Sequence, residues 1–68
     1  MKIKLIFIGF GKKEEELEVE KGKRYSEILE DLKINPETVV LVRDSTPVPI
    51  DDFVEEGEIT VIRVISGG

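Results

Sequence analysis

The chain has 68 residues, 40% of them hydrophobic, and its 10 lysines and arginines stand against 15 aspartates and glutamates, a formal net charge of −5. This length suits one small domain, which buries only about 60% of the surface that its unfolded chain exposes. The chain has neither cysteine nor histidine, which excludes disulfides, thiolate or imidazole metal sites and histidine-activated nucleophiles. Its acidic balance argues against nucleic-acid and anionic-membrane partners and favours a basic protein partner.

The longest apolar runs are four residues, at Leu5–Ile8 and Val39–Val42. They are too short for a membrane span or a secretory signal, so the expected compartment is the cytoplasm. No linker, repeat or low-complexity segment interrupts the sequence. We therefore expect one domain over residues 1–64 and a flexible C-terminal tail over residues 65–68.

The first half of the chain predicts a hairpin followed by a helix. Residues 2–8 are rich in isoleucine, and residues 15–20 alternate acidic and apolar side chains, so both are expected to be strands joined by a glycine-containing loop. After a turn at residues 21–23, apolar residues recur at the spacing of one helical face: Tyr25, Ile28, Leu29 and Leu32. The helix should end near Lys33, because Asn35-Pro36 disfavours its continuation.

The second half predicts three strands and a helical turn. Residues 38–43 are a strongly β-prone run, and residues 47–50 can form only a short edge strand because prolines cannot donate to a sheet ladder. Asp51 and Gly57 are of the types that begin and end a helix, so a short helical turn is expected between them. Residues 58–64 would form the final strand.

This order of elements predicts a two-layer α+β domain, with one main helix packed on one face of a mixed sheet of four to five strands. A hairpin, a crossover helix and further strands fit the β-grasp arrangement. In that arrangement the first and last strands run parallel at the centre of the sheet.

The strands carry more apolar residues than one helix can cover. The expected inward set is Ile3, Leu5, Phe7, Val39, Leu41, Ile59 and Val61, although the parity of the third strand can be reversed. Apolar residues then remain on the open face, and we interpret them as a partner-binding patch: Ile6, Ile8, Val42 and Ile62. The alternative is that central strands carry apolar residues on both faces, with Lys4, Arg63 and glutamate side chains covering the outer ones.

The sequence ends in Gly67-Gly68, a pair that average composition produces in about 0.5% of chains. We expect the α-carboxylate of Gly68 to be free. Glycine has no Cβ, so its backbone can pass through a narrow channel into the nucleotide site of another enzyme. There ATP would convert the carboxylate into an acyl-adenylate open to attack by sulfur or an amine. The alternative is a frayed terminus without a role.

The whole chain resembles the ubiquitin-like sulfur-carrier family, which includes ThiS, MoaD and the small archaeal modifier proteins. The resemblance covers KIKLIFIG, the helix YSEILEDL, the third strand TVVLVRD and the end EEGEITVIRVISGG. Its most specific part is Gly57, a strand and the terminal Gly67-Gly68. Asp44-Ser45 stands where ThiS-like chains often have Asn-Gly, and Arg24 stands where they often have threonine. These departures leave the pathway open.

The resemblance implies a carrier and not an enzyme. Sulfur would be carried as a Gly68 thiocarboxylate for thiamine, molybdopterin or tRNA thiolation. The implied partners are a ubiquitin-activating-type adenylating enzyme that uses ATP and magnesium, a sulfur donor or sulfurtransferase, and a downstream synthase. This chain itself would bind no cofactor or metal. Ile65 and Ser66 are expected to contact the adenylating enzyme together with the open-face residues.

Two alternatives stay open. In the modifier branch of the family, Gly68 would form an isopeptide bond to target lysines. A hypothesis of another class is a β-grasp interaction domain whose tail is inert. The aspartates and glutamates between residues 44 and 58 lack the spacing of a calcium-binding loop, so a solvated acidic face is expected there.

Overall fold

The structure, a computed structural model, describes residues 1–11 and 13–64. In these residues the elements are β1 (Lys2–Ile8), β2 (Glu14–Glu18), α1 (Tyr25–Asp31), a 3₁₀ turn (Pro36–Thr38), β3 (Val39–Arg43), β4 (Thr46–Val48) and β5 (Gly57–Arg63). The predicted strands and helix are present, with ends that differ by no more than two residues from the predicted ones. The predicted contact and reaction residues Ile65, Ser66, Gly67 and Gly68 lie outside the described residues.

The sheet has five strands in the order β2-β1-β5-β3-β4. β1 and β5 pair in parallel at its centre, with Leu5 opposite Ile59, whereas β2 pairs antiparallel with β1 and β3 pairs antiparallel with β5. α1 follows β2 and crosses one face of the sheet, so the prediction of an α+β, β-grasp fold is confirmed.

Backbone groups at the two ends of α1 form their hydrogen bonds in different ways. At its start Arg24 has extended backbone (φ −99°, ψ 155°), and its N–H donates to Oε1 of Glu27 at 3.0 Å. A glutamate in the first turn thus compensates for a cap residue without an acceptor side chain. At the other end, the N–H of Lys33 donates to the carbonyl of Glu30 at 3.0 Å and that of Ile34 to the carbonyl of Leu29 at 2.8 Å. This is a Schellman motif, which ends the helix before Asn35-Pro36 can disturb it.

The core lies between α1 and the sheet. Its members are Ile3, Leu5, Phe7, Tyr25, Ile28, Leu29, Val39, Leu41, Val54, Ile59 and Val61. The expected inward set of strand residues is confirmed, and the parity of β3 is resolved with Val39 and Leu41 toward the helix. Alternate residues of a strand lie on opposite faces, so the other set of apolar residues faces away from α1.

The prediction of a helical turn between Asp51 and Gly57 is wrong. The carbonyl of Asp52 accepts from the N–H of Tyr25 at 3.1 Å, and the N–H of Val54 donates to the carbonyl of Lys23 at 2.7 Å. Backbone groups that a helix would pair internally are therefore used to tie this segment to the start of α1. Gly57 has φ +119° and begins β5 instead of ending a helix.

Candidate functional site

The face of the sheet without the helix, called the open face, carries a continuous group of apolar side chains. The register places Ile62 of β5 between Ile8 of β1 and Val40 of β3. The adjacent row places Thr60 between Ile6 and Val42. The apolar patch therefore consists of Ile6, Ile8, Val40, Val42 and Ile62. Four of these were predicted as partner-binding residues, and Val40 joins them through its pairing with Ile62.

The apolar patch is accessible to a partner. Ile8 is 51% exposed and Val40 is 38% exposed, and Ile6, Val42 and Ile62 are half-buried. The suggestion that Arg63 covers these residues is wrong, because Arg63 belongs to the helix-facing parity of β5. Its guanidinium lies 5.5 Å from the centre of the Phe10 ring.

The rest of the open face is charged. Lys4 lies between Glu16 of β2 and Glu58 of β5, and Lys2 lies opposite Glu18. The ammonium of Lys4 is 3.4 Å from a carboxylate oxygen of Glu14, so its charge is directed toward β2. Along the direction of β1 and β5, the open face thus has a charged end followed by an apolar end.

The apolar end is where β5 ends. β1 and β5 are parallel, so Ile8 and Ile62 lie at the same edge of the sheet. Ile62 is one residue before the end of β5. The N–H of Val64 donates to the carbonyl of Thr38 at 3.0 Å, which fixes the backbone just after β5. Gly68 follows four residues later, a reach of at most about 14 Å of extended chain. The last described residue therefore stands beside the apolar patch.

A polar network at the opposite edge of the sheet was missed by the sequence analysis. Tyr25 was predicted only as a core residue, and it is 2% exposed. Its hydroxyl accepts from the Arg43 guanidinium at 2.7 Å and from the Glu55 N–H at 3.3 Å. Arg43 also donates to the carbonyls of Glu55 and Glu56 at 3.1 and 3.3 Å. Arg43 thereby holds the segment before Gly57 in place, a contact across 12 residues that no local pattern indicates.

In residues 1–11 and 13–64, no group of three or more acidic side chains is arranged to hold a metal ion. The main feature of the open face is therefore the apolar patch next to the end of β5.

None of the helices in the described part of the chain combines the length and the hydropathy needed to cross a bilayer.

Comparison with known proteins identifies the family. The sequence profile of small archaeal modifier protein 2 matches residues 1–65. The chain is 65% identical over its full length to an uncharacterized protein of Archaeoglobus fulgidus that it also covers fully. It is 44% identical to the sulfur carrier protein TtuB of Thermus thermophilus over 78% of this chain and 83% of that protein. It is 31% identical to small archaeal modifier protein 2 of Haloferax volcanii over 85% of this chain and 88% of that protein. The chain therefore belongs to the small archaeal modifier protein 2 family.

Proposed function

We propose that this protein is a sulfur carrier that is activated by adenylation at the carboxylate of Gly68 and carries sulfur there as a thiocarboxylate. The observation that carries the proposal is the position of the apolar patch beside the end of β5. A carrier must present its terminus and a docking surface to the same partner, and β5, the strand that precedes the terminus, ends at the edge of the sheet that carries the apolar patch. Similarity to the sulfur carrier protein TtuB supports the same function.

The proposed reaction takes place in the partner, an adenylating enzyme that supplies ATP and magnesium. A carboxylate oxygen of Gly68 attacks the α-phosphorus of ATP, and pyrophosphate leaves. Hydrosulfide from a sulfur donor attacks the carbonyl carbon of the resulting acyl-adenylate. The carbon–oxygen bond then breaks, AMP leaves with its electron pair, and a proton is released from sulfur. Without a Cβ at Gly67 and Gly68, the tail offers little steric resistance to either attack.

A second candidate function is protein modification. It is favoured by the profile match over residues 1–65 and by the similarity to small archaeal modifier protein 2 of Haloferax volcanii. In this reaction the ε-amine of a target lysine attacks the same adenylate, AMP leaves, and an isopeptide bond to Gly68 forms. Both functions begin with the same activated carbon, so one protein can serve both.

Intact mass spectrometry of the protein purified from its native cells distinguishes the candidates. The sulfur carrier gives a species in which one oxygen is exchanged for sulfur. The modifier gives larger conjugates that leave a Gly-Gly remnant on lysines after digestion. An unmodified mass under all growth conditions, without conjugates, would contradict both functions and favour an interaction domain with an inert tail.

The downstream use of the sulfur is tested by deletion. Loss of the gene should abolish one of three products: thiamine, molybdopterin or thiolated tRNA. The assay is growth with and without thiamine, together with measurement of molybdopterin and of thiolated nucleosides by mass spectrometry. Complementation with the wild-type gene should restore the product, and complementation with a Gly68→Ala variant should restore it poorly.

A further inference from the structure

A small cleft lies on the helix-bearing face of the sheet, at the edge where β5 ends. It is lined by Phe10, Lys33, Ile34, Asn35, Thr38 and Arg63. The ring of Phe10 packs edge-on against Phe7 at a centroid distance of 5.2 Å, and the Arg63 guanidinium lies over the Phe10 ring, 5.5 Å from its centre. The cleft therefore has an aromatic wall and a cation held in a defined position.

Lys33 supplies a second cation from an unfavourable backbone position. It occupies the Schellman position after α1 with φ 65°, where glycine is the usual residue. A side chain in this left-handed conformation costs about 1 kcal/mol or more relative to glycine. The lysine thus gains nothing from its backbone position, and its exposed side chain lines the cleft.

Neither cation has an ion-pair partner among the described residues. The ion pairs in the described part of the chain join Met1 to Glu18 and Lys4 to Glu14, so neither Lys33 nor Arg63 is paired within it. This cationic site contrasts with the net charge of −5 for the chain. A chain with that charge repels polyanions such as nucleic acid, whereas a cleft with two cations fits one or two protein carboxylates.

We propose that this cleft binds a carboxylate-bearing segment of the adenylating enzyme that receives the tail, an inference that rests on the proposed function. The N–H of Val64 bonds to the carbonyl of Thr38, which lines the cleft. Val64 therefore lies between the cleft on one face and the apolar patch on the other. The enzyme contacts both sides of the base of the tail, through apolar side chains on the open face and acidic side chains in the cleft.

ATP–pyrophosphate exchange catalysed by the adenylating enzyme of the same organism tests this assignment. Lys33→Glu and Arg63→Glu should each raise the KM for the carrier about tenfold, with kcat unchanged, because they weaken docking and not the chemical step. Lys21→Glu is the matched control, since it changes the net charge equally in an exposed turn at the opposite edge of the sheet. Its KM should equal that of the wild type.

Two further variants separate the charge of Lys33 from its effect on folding. Lys33→Arg should retain the wild-type KM. Lys33→Gly should raise the melting temperature by about 3 °C through relief of the left-handed conformation, and yet raise the KM. A purely structural role for Lys33 would not move stability and docking in opposite directions.

The outcomes distinguish this inference from the proposed function. Lack of exchange with the wild-type protein would contradict the proposed function itself. Normal exchange by the wild type, with the same KM for Lys33→Glu, Arg63→Glu and Lys21→Glu, would overturn only the cleft assignment. A raised KM for ATP in place of the KM for the carrier would also overturn it, because the cations would then contact nucleotide phosphates.

Discussion

The two faces of the sheet both carry aliphatic side chains but bury them to different degrees. On β5, Ile59 faces α1 and is 1% exposed, whereas Ile62 lies three residues later on the open face and is half-buried. The covered face packs against α1 in the core of the described residues, and the open face places its apolar residues next to the end of β5. Two isoleucines in one strand thus differ in burial, and we expect Ile59 to serve stability and Ile62 to serve recognition.

The largest expected effect is on the covered face. Ile59→Ala should lower the free energy of unfolding by about 3 kcal/mol, because it removes buried methyl groups and leaves a cavity. Ile62→Ala should lower it by less than about 1 kcal/mol, since that side chain is already partly in water. Urea unfolding followed by circular dichroism measures both.

A domain of this size has only about 3–5 kcal/mol to lose, so Ile59→Val provides a milder variant, with an expected loss of about 1 kcal/mol. Equal losses for the alanine variants at positions 59 and 62 would contradict the division of the two faces.

The tail should show the reverse behaviour, a large effect on activation without an effect on stability. Gly68→Ala keeps the carboxylate and adds a methyl group beside the carbon under attack, so ATP–pyrophosphate exchange should fall about a hundredfold. Residues appended after Gly68 should abolish exchange, because the carboxylate is then displaced. Both changes should alter the free energy of unfolding by less than about 0.5 kcal/mol.

The two tail variants test separate parts of the proposal. If the extended protein exchanges as fast as the wild type without being trimmed, the carrier mechanism is wrong. If Gly68→Ala alone is tolerated, the carboxylate keeps its proposed role and only the steric argument is lost.

A charge introduced on the open face should weaken partner binding more than it destabilises the fold. Ile62→Asp puts a carboxylate in the centre of the apolar patch, where it should weaken the complex with the adenylating enzyme about 30-fold. Glu58→Lys serves as the control, because it changes a side chain on the same strand and face at the charged end. Titration calorimetry measures the affinity, and an unchanged affinity with an intact fold would contradict the patch.

Local patterns were enough to predict the strands, the helix and the two faces. Side chains alternate between the two faces along residues 2–8 and 58–64. Once Leu5 and Ile59 are placed toward the helix, the face of every other residue in these strands is therefore determined. Local patterns were not enough where contacts between residues distant in sequence determine the backbone conformation. The segment before Gly57 has helix-like ends, but Arg43 and the start of α1 take up its backbone carbonyls. Arg63 was suggested as a cover for the open face, although it has the same parity within β5 as the helix-facing residues Ile59 and Val61.

The candidate site was only partly accessible from the sequence. Four members of the apolar patch could be named, since they are apolar residues left over after the core is filled. The cationic cleft could not, because it joins Phe10 from the hairpin loop, Lys33 from the end of α1 and Arg63 from β5. Their meeting depends on the parallel pairing of β1 with β5, which brings the ends of both strands to one edge.

The smallest expected effect belongs to neither face. The two-residue turn between β3 and β4 has positive φ at both Asp44 (51°) and Ser45 (65°), and Arg43 pairs with Thr46 across it. This is the backbone of a type I′ hairpin turn, for which Asn-Gly is the preferred sequence. Asp44→Asn combined with Ser45→Gly should therefore raise the free energy of unfolding by about 0.5–1 kcal/mol, seen as a higher urea midpoint.

The single variant Ser45→Ala supplies the control for this turn, because alanine gains nothing in the left-handed conformation and should not raise the midpoint. β3 runs antiparallel to β5, so the turn lies at the edge of the sheet opposite the end of β5. The Asn-Gly variant should consequently keep the wild-type KM in ATP–pyrophosphate exchange while it gains stability. A changed KM would mean that stability and recognition are coupled through the sheet, and the separation of the two faces would then be incomplete.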